Sequence, residues 1–475
     1  MQKAAYSQSA VSERKCVVME IKSRYQRQVL IATSLSYVVV ILDTSIVNVA
    51  LESISKTFDS DITGLQWVIN AYTLTFASLL LTGGLLGDRC GARKIYGLGL
   101  VLFAVASALC GLATDLLQLV AARVLQGVGA SMLVPCSLML INNAYPKTHQ
   151  RASAIGVWAG CGGIAMAAGP LVGGVLIELF GWRSIFLINV PIALVGVWLT
   201  SRIPPSPPLA PNRHLDFTGQ VAAIVALATS VAVLIEGAKL GWNSEWVYAG
   251  IILACAAWCV FLVTESRHKD PMLPLHYFRN PVFTGATFLS LISALVFYGL
   301  FFLLSLYFQT NRGWSPLDTG LAFLPLTAMV TLGSFTCGRL TRAYGPRAVL
   351  CTGFGLYALG FIGLFALAND ALYWRIALCY PAVGFGAGII TPAATSALMS
   401  VVDRAKAGVA AGTLNASRQS GSAFGVAIFG ALLTSIQPLN EAIYIAVSVA
   451  IGLSLLAMAV SALVLKTPAP QTVGS

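Results

Sequence analysis

Charge is the scarcest commodity in this 475-residue chain. Only 10% of its residues are Asp, Glu, Lys or Arg, against about 25% in soluble domains. A soluble fold with so few charges has too little surface to offer water, so composition excludes an ordinary globular protein. Histidine is scarcer still. The four, His149, His214, His268 and His276, all fall in expected loops, which excludes an intramembrane histidine relay. The ten cysteines include no Cys-x-x-Cys pair. Cys255 and Cys259, four apart, have no His or acid nearby in the sequence, so the cysteines read as small buried hydrophobes and no metal is expected. No run of His, Asp, Ser or Cys gathers at one depth as an intramembrane enzyme would require. No phosphate loop is present, because no Lys-Thr or Lys-Ser follows the glycine-rich stretch at the required spacing. The net charge of +11 is spread over short loops instead of one face, which argues against a nucleic-acid partner.

What is abundant is apolar sequence: 57% of residues are hydrophobic and the mean hydropathy is +0.80. A membrane-spanning helix needs about 20 apolar residues. Fourteen stretches between residues 28 and 465 qualify, which predicts an all-α integral membrane protein with 14 transmembrane helices and both termini on one side. Residues 1–27 are a polar, basic tail; the apolar run after them is too long for a signal-peptide core. Lys and Arg set the orientation. With the N-terminus inside, inner segments hold 22 of the 29 basic residues and outer segments hold 5, the other two being Arg123 and Arg418 within spans. Both termini are thus expected in the cytoplasm.

The densest island of charge is Gly84–Lys94, with Asp88, Arg89, Arg93 and Lys94 among three glycines. A fainter copy lies downstream: Gly84, Gly91 and Arg93 match Gly338, Gly345 and Arg347 at a constant offset of 254. Gly129 and Pro135 match Gly386 and Pro392 at offset 257, and Gly156, Gly169 and Gly174 match Gly412, Gly425 and Gly430 at offset 256. These matches predict two parallel six-helix repeats, a transporter architecture. The expected domains are a tail (1–27), a first bundle (28–201), linkers carrying two inserted helices (202–280), a second bundle (281–465) and a C-terminal tail (466–475). The first linker, 201–216, has five prolines and reads as extended.

Ionisable residues deep in a membrane are costly and mark function by default. Asp43 in the first span and Arg123 in the fourth lie at similar depth, roughly 10–12 Å below the outer surface at 1.5 Å per residue. Together they read either as a proton-loading carboxyl tuned by a guanidinium or as a structural ion pair. The fifth span carries Gly156, Gly160, Gly169, Pro170, Gly173 and Gly174, which suit close helix packing and a proline kink. Tyr37, Asn48, Gln66, Asn70, Gln126, Asn189, Tyr298 and Arg418 are candidates to line a substrate cavity; for the aromatic ones a lipid-facing position is the alternative.

These residues resemble the major facilitator superfamily. Gly84–Lys94 resembles its loop between the second and third helices, and Arg123–Gly129 its fourth-helix motif. Gly156 through Gly174 resembles the fifth-helix antiporter motif. Leu42–Leu51, Trp182–Pro191 and Arg418-Gln419 are similar to signatures of the fourteen-helix drug:proton antiporters. The resemblance implies alternating access and proton-coupled efflux of hydrophobic small molecules, such as drugs or secreted metabolites. The proton gradient would be the energy source, with no cofactor and no enzymatic activity. It implies coupling roles for Asp43 and Arg123, and a cytoplasmic gate built on Gly84, Asp88, Arg89, Gly91 and Arg93. Extra acids in the tenth and thirteenth spans are absent, which disfavours dicationic substrates. The expected setting is a bacterial cell membrane, multi-pass, with a monomer as the working unit. Import on the same fold, or a non-transporting sensor, are the alternatives.

Overall fold

The computed structural model describes residues 2–205, 207–208, 216–268, 271–273, 275–365, 372–402 and 407–465. The expected C-terminal tail and half of the proline-rich linker, His214 included, lie outside the described residues. So do the side chains of residues 1–23 and of His149. All regular structure among the described residues is helical: α1 (Gln2–Ile46), α2 (Leu51–Phe58), α3 (Ile62–Cys90), α4 (Ala92–Leu112), α5 (Leu116–Ala144), α6 (Thr148–Phe180), α7 (Ser184–Leu187), α8 (Asn189–Ser201), α9 (Phe217–Leu240), α10 (Glu245–Arg267), α11 (Pro281–Leu306), α12 (Pro316–Leu364), α13 (Tyr373–Ala377), α14 (Tyr380–Met399), α15 (Ala407–Ser435) and α16 (Leu439–Val464).

Helix starts are marked by residues whose side chains satisfy otherwise orphaned backbone N–H groups. Asp61 accepts from Gly64 N–H ahead of α3, Asp115 from Gln118 N–H ahead of α5, and Asp216 from Gly219 N–H ahead of α9. Asn280 and Ser315 do the same for α11 and α12, each followed by a proline in the first turn. Among the described residues, twelve helical segments are long and apolar enough to cross a membrane. One of them, α12, is two helices joined at Gly345, whose φ of 78° and ψ of 160° break the helical path. Gly91, the residue matched to Gly345 in the sequence, stands between α3 and α4 at φ 93° and ψ 125°. Both glycines hold a conformation costly for any residue with a Cβ.

The packing repeats the sequence offsets. Gly127 of α5 sits against the Tyr72 carbonyl of α3, and Gly384 of α14 against the Leu326 carbonyl of α12. Gly129 approaches the Gly99 carbonyl of α4, and Gly386 that of Gly353 in the second part of α12. Contacted residues 72 and 99 lie 254 before 326 and 353, so the same backbone approaches occur twice.

Two seams join the first half (α1–α8) to the second (α11–α16). In one, α6 lies against α12: Gly174 meets the backbone of Pro316 and Leu317, and Gly320 meets the Pro170 carbonyl. In the other, α3 lies against α15: Gln66 Nε2 donates to the carbonyls of Val426 and Ala427, at 3.0 and 2.9 Å. Helix α9 runs along this second seam. Polar ties hold it to α3 and to Asp61 just ahead of it: Trp67 Nε1 donates to Glu236 at 2.8 Å, Gln220 Nε2 to the Ser78 carbonyl at 2.9 Å, and Lys239 pairs with Asp61 at 2.9 Å. Toward α15 it offers Leu227, Val231 and Ile235, packed on Ala423 and Ala427.

Candidate functional site

Asp43 and Arg123 meet. Asp43 is the last acidic residue of α1, one turn before the helix tightens to a 3₁₀ segment at Val47–Ala50. Arg123 rises from the second turn of α5. Both are fully buried, and Arg123 Nη1 donates to Asp43 Oδ2 at 2.5 Å. The same Nη1 donates to Gln126 Oε1 at 2.7 Å, and Nε donates to the Val68 carbonyl at 3.0 Å. The guanidinium also lies over the Tyr72 ring, 4.3 Å from its centroid, with Phe186 beyond at 5.7 Å.

The other carboxylate oxygen is held as firmly. Gln126 Nε2 donates to Asp43 Oδ1 at 2.8 Å and Asn189 Nδ2 donates to it at 2.9 Å. Ser107 Oγ of α4 accepts from Gln126 Nε2 at 2.8 Å and closes the cluster. Four side chains from α4, α5 and α8 thus gather around one carboxylate of α1. Gln126 and Asn189, expected in the substrate cavity, are buried here against Asp43. Ser107 was not expected at all. A serine in a glycine- and alanine-rich span carries no local signal, and only the fold aims it at Gln126. All three donors around Asp43 suit its ionised form, and the cluster excludes water from both oxygens.

Asn48 is buried, and its carbonyl accepts from Ser305 Oγ of α11 at 2.5 Å. Gln66 serves the α3–α15 seam. Asn70, one turn further along α3, is fully buried and neither end of its amide has a partner among the described residues. Tyr37 is half-buried and stacks on Trp158 of α6, ring centroids 3.8 Å apart. Tyr298 of α11 and Arg418 of α15 are half-buried midway along their helices.

The antiporter-motif glycines divide between packing and open space. Gly169 and Gly173 meet Ser45 and Ile46 of α1, and Gly174 meets α12. Gly156 has open space around it, and Gly160 has only the Phe335 ring, at 3.8 Å. At the far end of α3, Gly84 faces Pro135 and Met139. Arg93 donates to the carbonyls of Thr200 and Ser201 at 3.2 and 2.8 Å, capping the end of α8. Both bonds are to its own half of the molecule. Asp88 is half-buried and Arg89 is exposed beside it.

A family model for the Major Facilitator Superfamily matches residues 33–426 and 332–475. The chain belongs to the major facilitator superfamily. It is thus a multi-pass membrane transporter of the cell membrane, and not an enzyme. It is 35% identical to the methylenomycin A resistance protein of Streptomyces coelicolor, over 85% of each chain. It is 34% identical to the drug efflux pump JefA of Mycobacterium tuberculosis, over 86% of this chain and 81% of that one. Among solved structures it resembles a bacterial homologue of the lysosomal transporter Spinster, inward-facing and unoccupied, with a TM-score of 0.64 at 17% identity. That match covers 94% of this chain and 99% of the other. A D-xylose–proton symporter matches with a TM-score of 0.65 at 15% identity, covering 91% of this chain and 97% of that one. Fold likeness alone therefore leaves the direction of transport open.

Proposed function

We propose that this transporter exports hydrophobic small molecules in exchange for protons by alternating access. The observation that carries the proposal is the Asp43 cluster: a fully buried carboxylate, paired with Arg123, on the helix that packs against α6. A proton arriving on Oδ2 breaks the bond to Arg123, because an O–H cannot accept in the direction it donates. The guanidinium then leans on Gln126, Val68 and the Tyr72 face, and α1 loosens from α5. Loading and release on opposite sides follow if the two conformations hydrate Asp43 from opposite sides. Efflux as the direction draws support from the relatives, whose names describe resistance and drug efflux.

In this reading the chain has fourteen spanning helices. The two parts of α12 count separately and α15, 29 residues long, is added to the rest. The repeated backbone approaches at offset 254 support two six-helix repeats, with α9 and α10 inserted between them. The Lys and Arg distribution supports a cytoplasmic position for both termini and for Gly84–Lys94. Asp88, Arg89, Arg93, Gly84 and Gly91 form part of the gate there, and the functional unit is a monomer. A growth screen of an efflux-deficient host expressing this chain against a panel of toxic compounds identifies a substrate. Everted vesicles then test proton-driven accumulation of that compound. Gradient-driven uptake into intact cells overturns the export reading.

A further inference from the structure

Tyr298 stands where the two halves converge. Its helix α11 is tied to α15, where Ser417 Oγ donates to the Thr287 carbonyl at 2.9 Å, and to α12, where Ser293 and Tyr357 share a hydrogen bond at 3.3 Å. Ala416 of α15 in turn packs against the cluster that holds Tyr37 and Trp158, and Tyr298, Tyr37 and Arg418 each keep accessible surface. Interior position with retained surface makes these side chains an inner wall of the bundle. One side of that wall is aromatic: Tyr37 is stacked on Trp158, and Gly162 leaves the room the Tyr37 ring fills. The other side is Arg418.

The electrostatics of this wall are unbalanced. Asp43 and Arg123 neutralise each other. Arg418 forms no ion pair among the described residues: its Nη2 donates to Asn415 Oδ1 at 3.2 Å, and its buried Nε has no partner. The acids nearest along the chain are far away, Asp403 before it and Glu441 after it. A guanidinium inside a membrane protein, with a donor left unused, is costly unless an anion completes it. Its planar fork matches a carboxylate or a similar oxyanion in two-point geometry.

We infer that this wall bounds a central cavity that takes acidic amphipathic compounds: an aromatic or hydrophobic body against Tyr37, Trp158 and Tyr298, and a carboxylate or phenolate on Arg418. This inference rests on the export reading and narrows its substrate class. An anion is also driven outward by an inside-negative membrane potential, so charge and direction agree.

The test uses the full chain in phosphatidylcholine nanodiscs, where no anionic lipid competes, at pH 7.5. Saturable binding is measured for 2-naphthoate, its methyl ester and 2-naphthylmethylammonium, three probes sharing one ring system. The naphthoate should bind at least tenfold more tightly than the other two. Arg418→Gln should remove that preference, so that naphthoate and ester bind alike, and saturable ester binding also shows that the variant folds; Arg418→Lys should retain part of the preference. Equal or tighter binding of the ester or the ammonium overturns the inference, as does an Arg418→Gln loss that strikes all three probes equally. Absence of saturable naphthoate binding to the wild type overturns it as well. Proton-driven export of a neutral screen hit in everted vesicles, alongside such a failure, leaves the export reading standing and removes only the acidic class.

Discussion

Replacing Asp43 by Asn is the sharpest perturbation available. The substitution keeps the volume and one acceptor. It turns the other oxygen into an NH₂ facing donors: Arg123 Nη1 on one side, or the amides of Gln126 and Asn189 on the other. It also leaves a buried guanidinium without its anion. Removing one partner of a buried pair costs about 3–5 kcal/mol. Arg123 keeps its bonds to Val68 and Gln126 and its seat on Tyr72, which places the cost near the lower bound, about 3 kcal/mol. The double variant Asp43→Asn with Arg123→Gln removes the unpaired charge and should regain most of that stability without regaining transport. Thermal unfolding of the purified proteins gives the double-mutant cycle, and everted vesicles give the transport arm. Proton-driven accumulation by Asp43→Asn would refute the coupling role. A double variant less stable than Asp43→Asn alone would refute the account of the pair as one energetic unit.

Further outcomes concern the seams and the surface. Gln66→Leu removes two hydrogen bonds between α3 and α15, at about 1–3 kcal/mol; cross-linking yield between cysteines placed across this seam should fall, and an unchanged yield removes Gln66 from the closure. Gly320→Val drives a side chain into the Pro170 carbonyl; the α6–α12 cross-link should be lost and transport with it, and normal transport would mean this seam need not close so tightly. Burial works to raise the Asp61 carboxyl, but the Lys239 hydrogen bond and charge and the Gly64 N–H outweigh it and hold it below the usual carboxylate range. A depressed value stabilises the fold above the unfolded value, about 3.9, and that contribution is lost as pH falls through the folded one. Since both partners are half-exposed, it amounts to at most about 1 kcal/mol. The thermal stability gap between wild type and Asp61→Asn should therefore shrink on acidification below about pH 4; a gap that widens contradicts the pairing.

Much of this molecule is legible in the chain because its determinants are local. Apolar runs of spanning length, basic loops and recurring glycines each act within a few residues or at a fixed offset, so membrane class, helix positions and the doubled pattern follow from the sequence. Asp43 and Arg123 stand out for a similar reason: charge is so rare in the spans that each one announces itself. What encircles them does not. Ser107, Gln126 and Asn189 are ordinary polar residues in sequence, and that the latter two reach a carboxylate 83 and 146 positions away, with Ser107 behind them, depends on how four helices rotate against one another. The unlike seams are of the same kind. Gln66 and Gly320 occupy matched positions, yet one bonds to the carbonyl of Val426 and the other presses on that of Pro170. That difference arises only when side chains from distant helices compete for one space, and tertiary packing alone decides it.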